Sequence, residues 1–263
     1  MPFTSDQFFD VFALYNRTFV VVVVGLWIGS IVLLAFVSRE PLRRGRTLSR
    51  CLGVLWLWNA VAYHALFFTR INPAAWLFAA VFAVQALLFF RDATRRRIEY
   101  LSTTGWRRGV GLGLVAYALA YPFLTIALGH RYPETPTFGV PCPTAILTIG
   151  VLITTRGRLP LTLTIIPIVW SLIGGSAAAL LTVPTDYVLL AAGILLTGIV
   201  AAQRTQPARE DGEDALLRGV YRDKGSTIRD ASRTARGDAA GGTIGAIRTD
   251  CSTAADRARV SEK

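Results

Sequence analysis

From Thr18 to Ser38 the chain runs for 21 residues without a charged side chain. A helix rises 1.5 Å per residue, so this stretch is about 30 Å long, the thickness of a bilayer's hydrocarbon core. Read locally, the run Val20 to Val24 would suit a buried strand; the length of the whole segment selects a spanning helix instead. Similar apolar stretches recur. They are expected at about 51–69, 74–90, 110–128, 140–155, 160–182 and 187–202. The expected fold is all-α: a polytopic integral membrane protein of about seven transmembrane helices.

The connections alternate in kind. Those after the first, third and fifth spans carry five, six and two arginines; the N-terminal segment and the other three carry only Arg17, Arg70 and Arg131. Positive residues stay on the cytoplasmic side, which puts the N-terminus outside and the C-terminus inside, in a plasma membrane. The chain is strongly basic, with 28 Lys and Arg against 17 Asp and Glu. That balance often marks a nucleic-acid binder. Here the basic residues sit in short connections between apolar runs, so the expected partner is the lipid bilayer, not nucleic acid. No basic segment precedes the first span, so no cleavable signal peptide is expected.

Three segments carry their own readings. Residues 1–17 form a short amphipathic N-terminal segment, with Thr4 and Gln7 fitting a capping box and Phe8, Phe12 and Tyr15 at helical spacing. It lies in the membrane interface or extends the first span. The fifth span crosses only if Pro141 and Pro143 occupy its first turn, where proline is tolerated; otherwise it is re-entrant. Residues 204–263 are charged and poor in aromatic and aliphatic side chains, which predicts a disordered cytoplasmic tail.

Chemistry-bearing residues gather at the outward turns. The loop 129–144, GHRYPETPTFGVPCPT, holds His130 and Cys142. His64 lies inside the second span, where an ionisable group is costly and is a functional candidate; its bland alternative is a single hydrogen bond to a neighbouring carbonyl. His130 suits a helix cap, and a lone Cys142 suits simple packing. The leading expectation is an outward-facing site for a small-molecule ligand, of permease or sensor type, built from His64, Asn72, His130, Ser176 and Asp186. Pro122 and Pro167 would free backbone groups inside their spans. A second reading sets His64, His130, Cys142 and Asp186 around a metal, or the two histidines about a haem, in a redox enzyme. A third is a structural or assembly protein. No nucleophile motif, phosphate loop or dinucleotide fingerprint is present, so the sequence leans away from an enzyme. Cys51, Cys142 and Cys251 have no pairing pattern.

Three stretches also resemble a known family. Tyr63-His64 with Phe67-Phe68 and Ile71 to Ala75, Gly129 to Thr144, and Trp170 with Ile173 to Ala178 are similar to the uncharacterised multi-pass prokaryotic membrane proteins grouped as domain of unknown function 6064. Ala145 departs from the second threonine expected there. The resemblance implies a membrane-helical fold over residues 3–200 and no particular activity.

Overall fold

A computed structural model describes residues 3–95, 98–181 and 183–205. The expected tail, from 206 on, lies outside the described residues. Within them the chain forms seven α-helices and no strand: α1 (Ser5–Arg39), α2 (Pro41–Trp58), α3 (Ala75–Arg95), α4 (Gly105–Ala127), α5 (Pro141–Ile153), α6 (Leu161–Leu181) and α7 (Tyr187–Thr205). Six helical stretches are long and apolar enough to cross a membrane: Ser5–Arg39, Arg44–Arg70, Ala75–Arg95, Gly105–Ala127, Leu161–Leu181 and Pro184–Thr205.

The N-terminal segment and the first apolar stretch are one helix, bent at Phe19 (φ −119°, ψ 19°). Thr4 and Gln7 close the capping box. Just before the bend Thr18 bonds back to the Leu14 carbonyl at 2.8 Å, a pattern that bends helices. Above the bend Val11, Phe12, Tyr15 and Asn16 are buried. The aromatic stripe therefore faces protein: Phe12 stacks on Tyr63 at 5.6 Å and Tyr15 meets Phe67 edge-on at 5.9 Å. Below the bend the helix is largely exposed, with Val21 and Val32 among the barest residues.

The arginine-rich segment 39–50, expected as a connection, is mostly helix. Pro41 takes the first helical position, where its missing N–H is no loss. Leu48, Leu52, Leu55 and Trp56 then fall on one buried face. Arg44 reaches back to the end of α1, donating to the Phe36 carbonyl at 2.7 Å and lying over the Phe36 ring at 3.6 Å. After Trp58 the helix widens into a π-helical stretch, Asn59–Ala65. The Asn59 amide donates to Leu55 O at 2.8 Å and to Thr144 Oγ1 on α5 at 3.0 Å.

The fifth apolar stretch needs the largest correction. α5 has 13 residues, about 20 Å at the helical rise, too short to cross a bilayer alone. Pro141 does sit in its first turn. Twelve of its residues are buried, all but Cys142; a helix that is apolar all round belongs at the centre of a bundle. Its backbone touches that of α4. A Cβ on Gly150 would meet Gly111 O at 2.8 Å, and one on Gly111 would meet Gly150 O at 2.7 Å. Small residues allow the same closeness between α6 and α7: a Cβ on Gly174 or Gly175 would lie 2.7 Å from Leu189 or Leu190.

α5 nevertheless ends where α4 begins. The amides of Ser102 and Thr103 donate to Thr154 O, and Arg107 donates to Thr155 O. Gln203 and Arg204 at the end of α7 bond to Leu159. At the same end Ser49, Asp92 and Tyr100 link α2, α3 and the segment after it. Burial pushes the Tyr100 phenol well above its usual range, opposed by its Ser49 bond and aided by Asp92. The connections rich in arginine thus share one end of the bundle. Arg17, Arg70 and Arg131 lie toward the other.

What α5 lacks in length, residues 129–140 supply as folded loop. Gly129 (φ +102°) closes α4, and the His130 amide donates to Thr125 O, a glycine helix stop. Asn16 then clasps the loop: its Nδ2 donates to Pro133 O (2.6 Å) and Thr135 O (2.8 Å), and its Oδ1 accepts from Thr137 (2.6 Å). Tyr15 donates to Gly139 O at 3.0 Å and accepts from Trp58 Nε1 at 2.7 Å.

The proline inside α6 is met by a side chain from elsewhere. Pro167 cannot bond the carbonyl of Leu163 four residues back; the Gln85 amide on α3 does so at 3.3 Å. Near Pro122, Trp27 on α1 donates to Leu119 O at 2.8 Å.

Candidate functional site

At the arginine-poor end the start of α5, the last turns of α6 and the turn after α2 surround a cavity of about 250 Å³. Four of the five residues expected to bind a ligand line it: His64, Asn72, Ser176 and Asp186. Cys142 lines it too. His130 does not. Its imidazole lies 5.0 Å from the Phe9 ring, and its backbone, not its side chain, helps close α4.

The π-helical stretch turns His64 into the bundle, where it is fully buried. Rings enclose it: Phe82 at 4.7 Å, Tyr63 at 5.2 Å, Trp170 at 5.4 Å and Phe78 at 5.7 Å between centroids. Neither of its nitrogens has a hydrogen-bond partner, and neither has the indole N–H of Trp170. The expected bond from His64 to a neighbouring carbonyl is therefore not formed. Buried polar groups are ordinarily paired, so these atoms are the anomaly of the site.

The other polar residues are partly engaged. Asn72 Oδ1 accepts from the Ala74 amide at 3.0 Å and shapes the turn around Pro73. Ser176 bonds back to Ile173 O at 2.7 Å. Asp186 is buried and accepts from the Tyr121 hydroxyl, which in turn accepts from Thr185 at 3.0 Å. The Cys142 thiol faces the same carboxylate. Around Gly174, Cys142 Sγ and Trp170 Nε1 come together: a Cβ there would lie 3.6 Å from one and 3.8 Å from the other.

The wall is otherwise apolar and strongly aromatic, with Phe8, Phe12, Tyr63, Phe68 and Phe78 on one side. The mouth lies beside half-buried Phe3 and Asn72 and exposed Ser176 and Leu180. The arrangement can hold a small, mostly apolar molecule and offer it one carboxylate, one imidazole and one indole donor. The four residues expected around a metal are not brought together, since His130 stands apart. Among the described residues no three His, Cys, Asp or Glu side chains group as a metal site.

The three stretches that carried the family resemblance converge on this cavity: His64 and Asn72 from the first, Cys142 from the second, Trp170 and Ser176 from the third. A family model matches residues 5–210, most of the chain. The chain belongs to the family of unknown function DUF6064. The DUF6064 region spans every cavity-lining residue named above except Phe3. Comparison with curated proteins and with solved structures gives no match.

Reading the sequence missed Tyr121 and the aromatic wall. Nothing local marks Tyr121; it matters because the turn Pro184–Asp186 before α7 brings Asp186 to it from 65 residues away. Trp170 stood in the third stretch, but its unpaired N–H is visible only in the packed structure. Asn16 was passed over because a single amide in an amphipathic segment carries no signal until the loop folds onto it.

Proposed function

We propose that this DUF6064 chain is a multi-pass membrane protein, N-terminus outside and C-terminus inside, whose cavity is an outward-facing small-ligand site of permease or sensor type. The observation that carries the ligand reading is His64, buried with both nitrogens unpaired on a cavity wall. A purely structural histidine gains from at least one hydrogen bond; one held open on a cavity is accounted for by a ligand that completes it. The membrane reading is supported by six long apolar helices and by their exposed faces of Val, Leu and Ile. The orientation is supported by the gathering of arginines at one end.

Two experiments test this. A reporter active only outside the cytoplasm, fused at the C-terminus, is expected to stay silent; a signal overturns the orientation. A small-molecule library screened by thermal shift on purified protein is expected to give compounds that stabilise the wild type and not Ala177→Trp, whose ring would fill the mouth. Equal shifts in both proteins, or none in either, would favour the structural or assembly reading.

A further inference from the structure

We infer that the cavity takes a small organic cation, a protonated amine or quaternary ammonium, with its charge at Asp186 and its body against the aromatic wall. The inference rests on the reading of the cavity as a ligand site and names the class of ligand.

The charge inventory of the wall comes first. Asp186 is the one carboxylate among the described lining residues, and no Arg or Lys stands among them. Its bonding partners are a phenol and a thiol, both formally neutral donors. A carboxylate buried without a countercharge is costly. A cationic ligand supplies the missing charge.

The start of α5 argues against an anion. A helix N-terminus ordinarily presents free N–H groups to a negative ligand. Here Pro141 and Pro143 have none, and the Thr144 amide is spent on Val140 O at 3.3 Å. Of residues 141–144 only the Cys142 amide remains. Asp186 also already faces Cys142, so negative charge is in place where an anion would sit.

The wall itself favours a cation. Ring faces attract ammonium groups, more strongly when water is excluded, and rings dominate this cavity. His64 adds a lone pair that can accept from an ammonium N–H. The Trp170 indole N–H, the unpaired donor on the wall, suits an oxygen on the same ligand.

The test is a charge series of matched shape on the full-length protein in nanodiscs, read by titration calorimetry. Choline, 3,3-dimethylbutan-1-ol and 3,3-dimethylbutanoate are similar in size and carry positive, zero and negative charge. Choline is expected to bind at least tenfold tighter than the alcohol, with the carboxylate weakest. Asp186→Asn keeps an acceptor for Tyr121 and should bring choline to within threefold of the alcohol. If the alcohol or the carboxylate binds wild type as tightly as choline does, the cation assignment is wrong while the ligand site stands. Saturable binding by none of the three also overturns the assignment; the thermal-shift screen then decides the site separately. The wild-type series is decisive even if the variant does not fold.

Discussion

Asn16 is the clasp between the N-terminal helix and the loop that covers the cavity's end of the bundle, and its removal should be felt as a single large loss. It is 1% exposed and makes three hydrogen bonds, two donated to Pro133 O and Thr135 O and one accepted from Thr137. Interhelical bonds in a membrane protein average about 0.6 kcal/mol each, so three give a lower bound near 2 kcal/mol. Asn16→Ala also leaves two carbonyls facing a gap, and each unsatisfied buried group costs about 1–3 kcal/mol. The expected loss is roughly 2–4 kcal/mol. Thr137→Val removes one of the three bonds and should cost about 0.6 kcal/mol. The double variant should cost less than the sum, because the two residues share a bond. The assay is reversible unfolding by SDS in mixed micelles. A loss below about 0.5 kcal/mol for Asn16→Ala would refute the clasp and mean that water satisfies the loop carbonyls.

Three further outcomes follow from the packing. Gln85→Leu should cost about 1–2 kcal/mol by stranding Leu163 O, and adding Pro167→Ala should recover most of it, since the restored amide takes over that carbonyl; unfolding of the single and double variants checks this. Gly150→Ala should cost about 1–3 kcal/mol, as its methyl would meet the α4 backbone at 2.8 Å; a neutral melting temperature would mean the helices part freely. His64→Phe should leave the unliganded protein as stable or up to ~1 kcal/mol more so, by removing two orphaned nitrogens, while abolishing ligand-induced stabilisation; loss of stability in the empty protein would show the imidazole is structurally satisfied.

Much of the architecture was legible because apolar length and proline placement are local. The capping box at Thr4 and the start of α5 at Pro141 both depend on a few neighbouring residues. Other features depend on partners far along the chain. The segment 39–50 looks like a loop by hydropathy, but Leu48 belongs to a face that only the bundle makes apolar. The π-helical stretch accompanies a bond from Asn59 to Thr144, and no spacing near Asn59 announces it. Four of the five candidate residues line one cavity, and each was visible in one dimension as a polar side chain within or beside an apolar stretch. His130 was grouped with them for the same reason, and the structure turns its side chain onto Phe9 instead.

The shortness of α5 ties these features together. A full-length fifth helix would run through the space where the cavity lies. The pair of prolines at its start removes two amides that an extended helix would need, so the helix begins deep in the bundle at Pro141. The missing outer turns are replaced by a loop whose carbonyls require outside donors, and Tyr15 and Asn16 supply them. That obligation explains why the upper part of α1 folds onto the bundle while its lower part stays exposed. Once there, Phe8 and Phe12 become cavity wall. The same two prolines leave the start of α5 almost without free donors, so it stands beside Asp186 without forming an anion site. One proline pair thus accounts for the space and its aromatic lining.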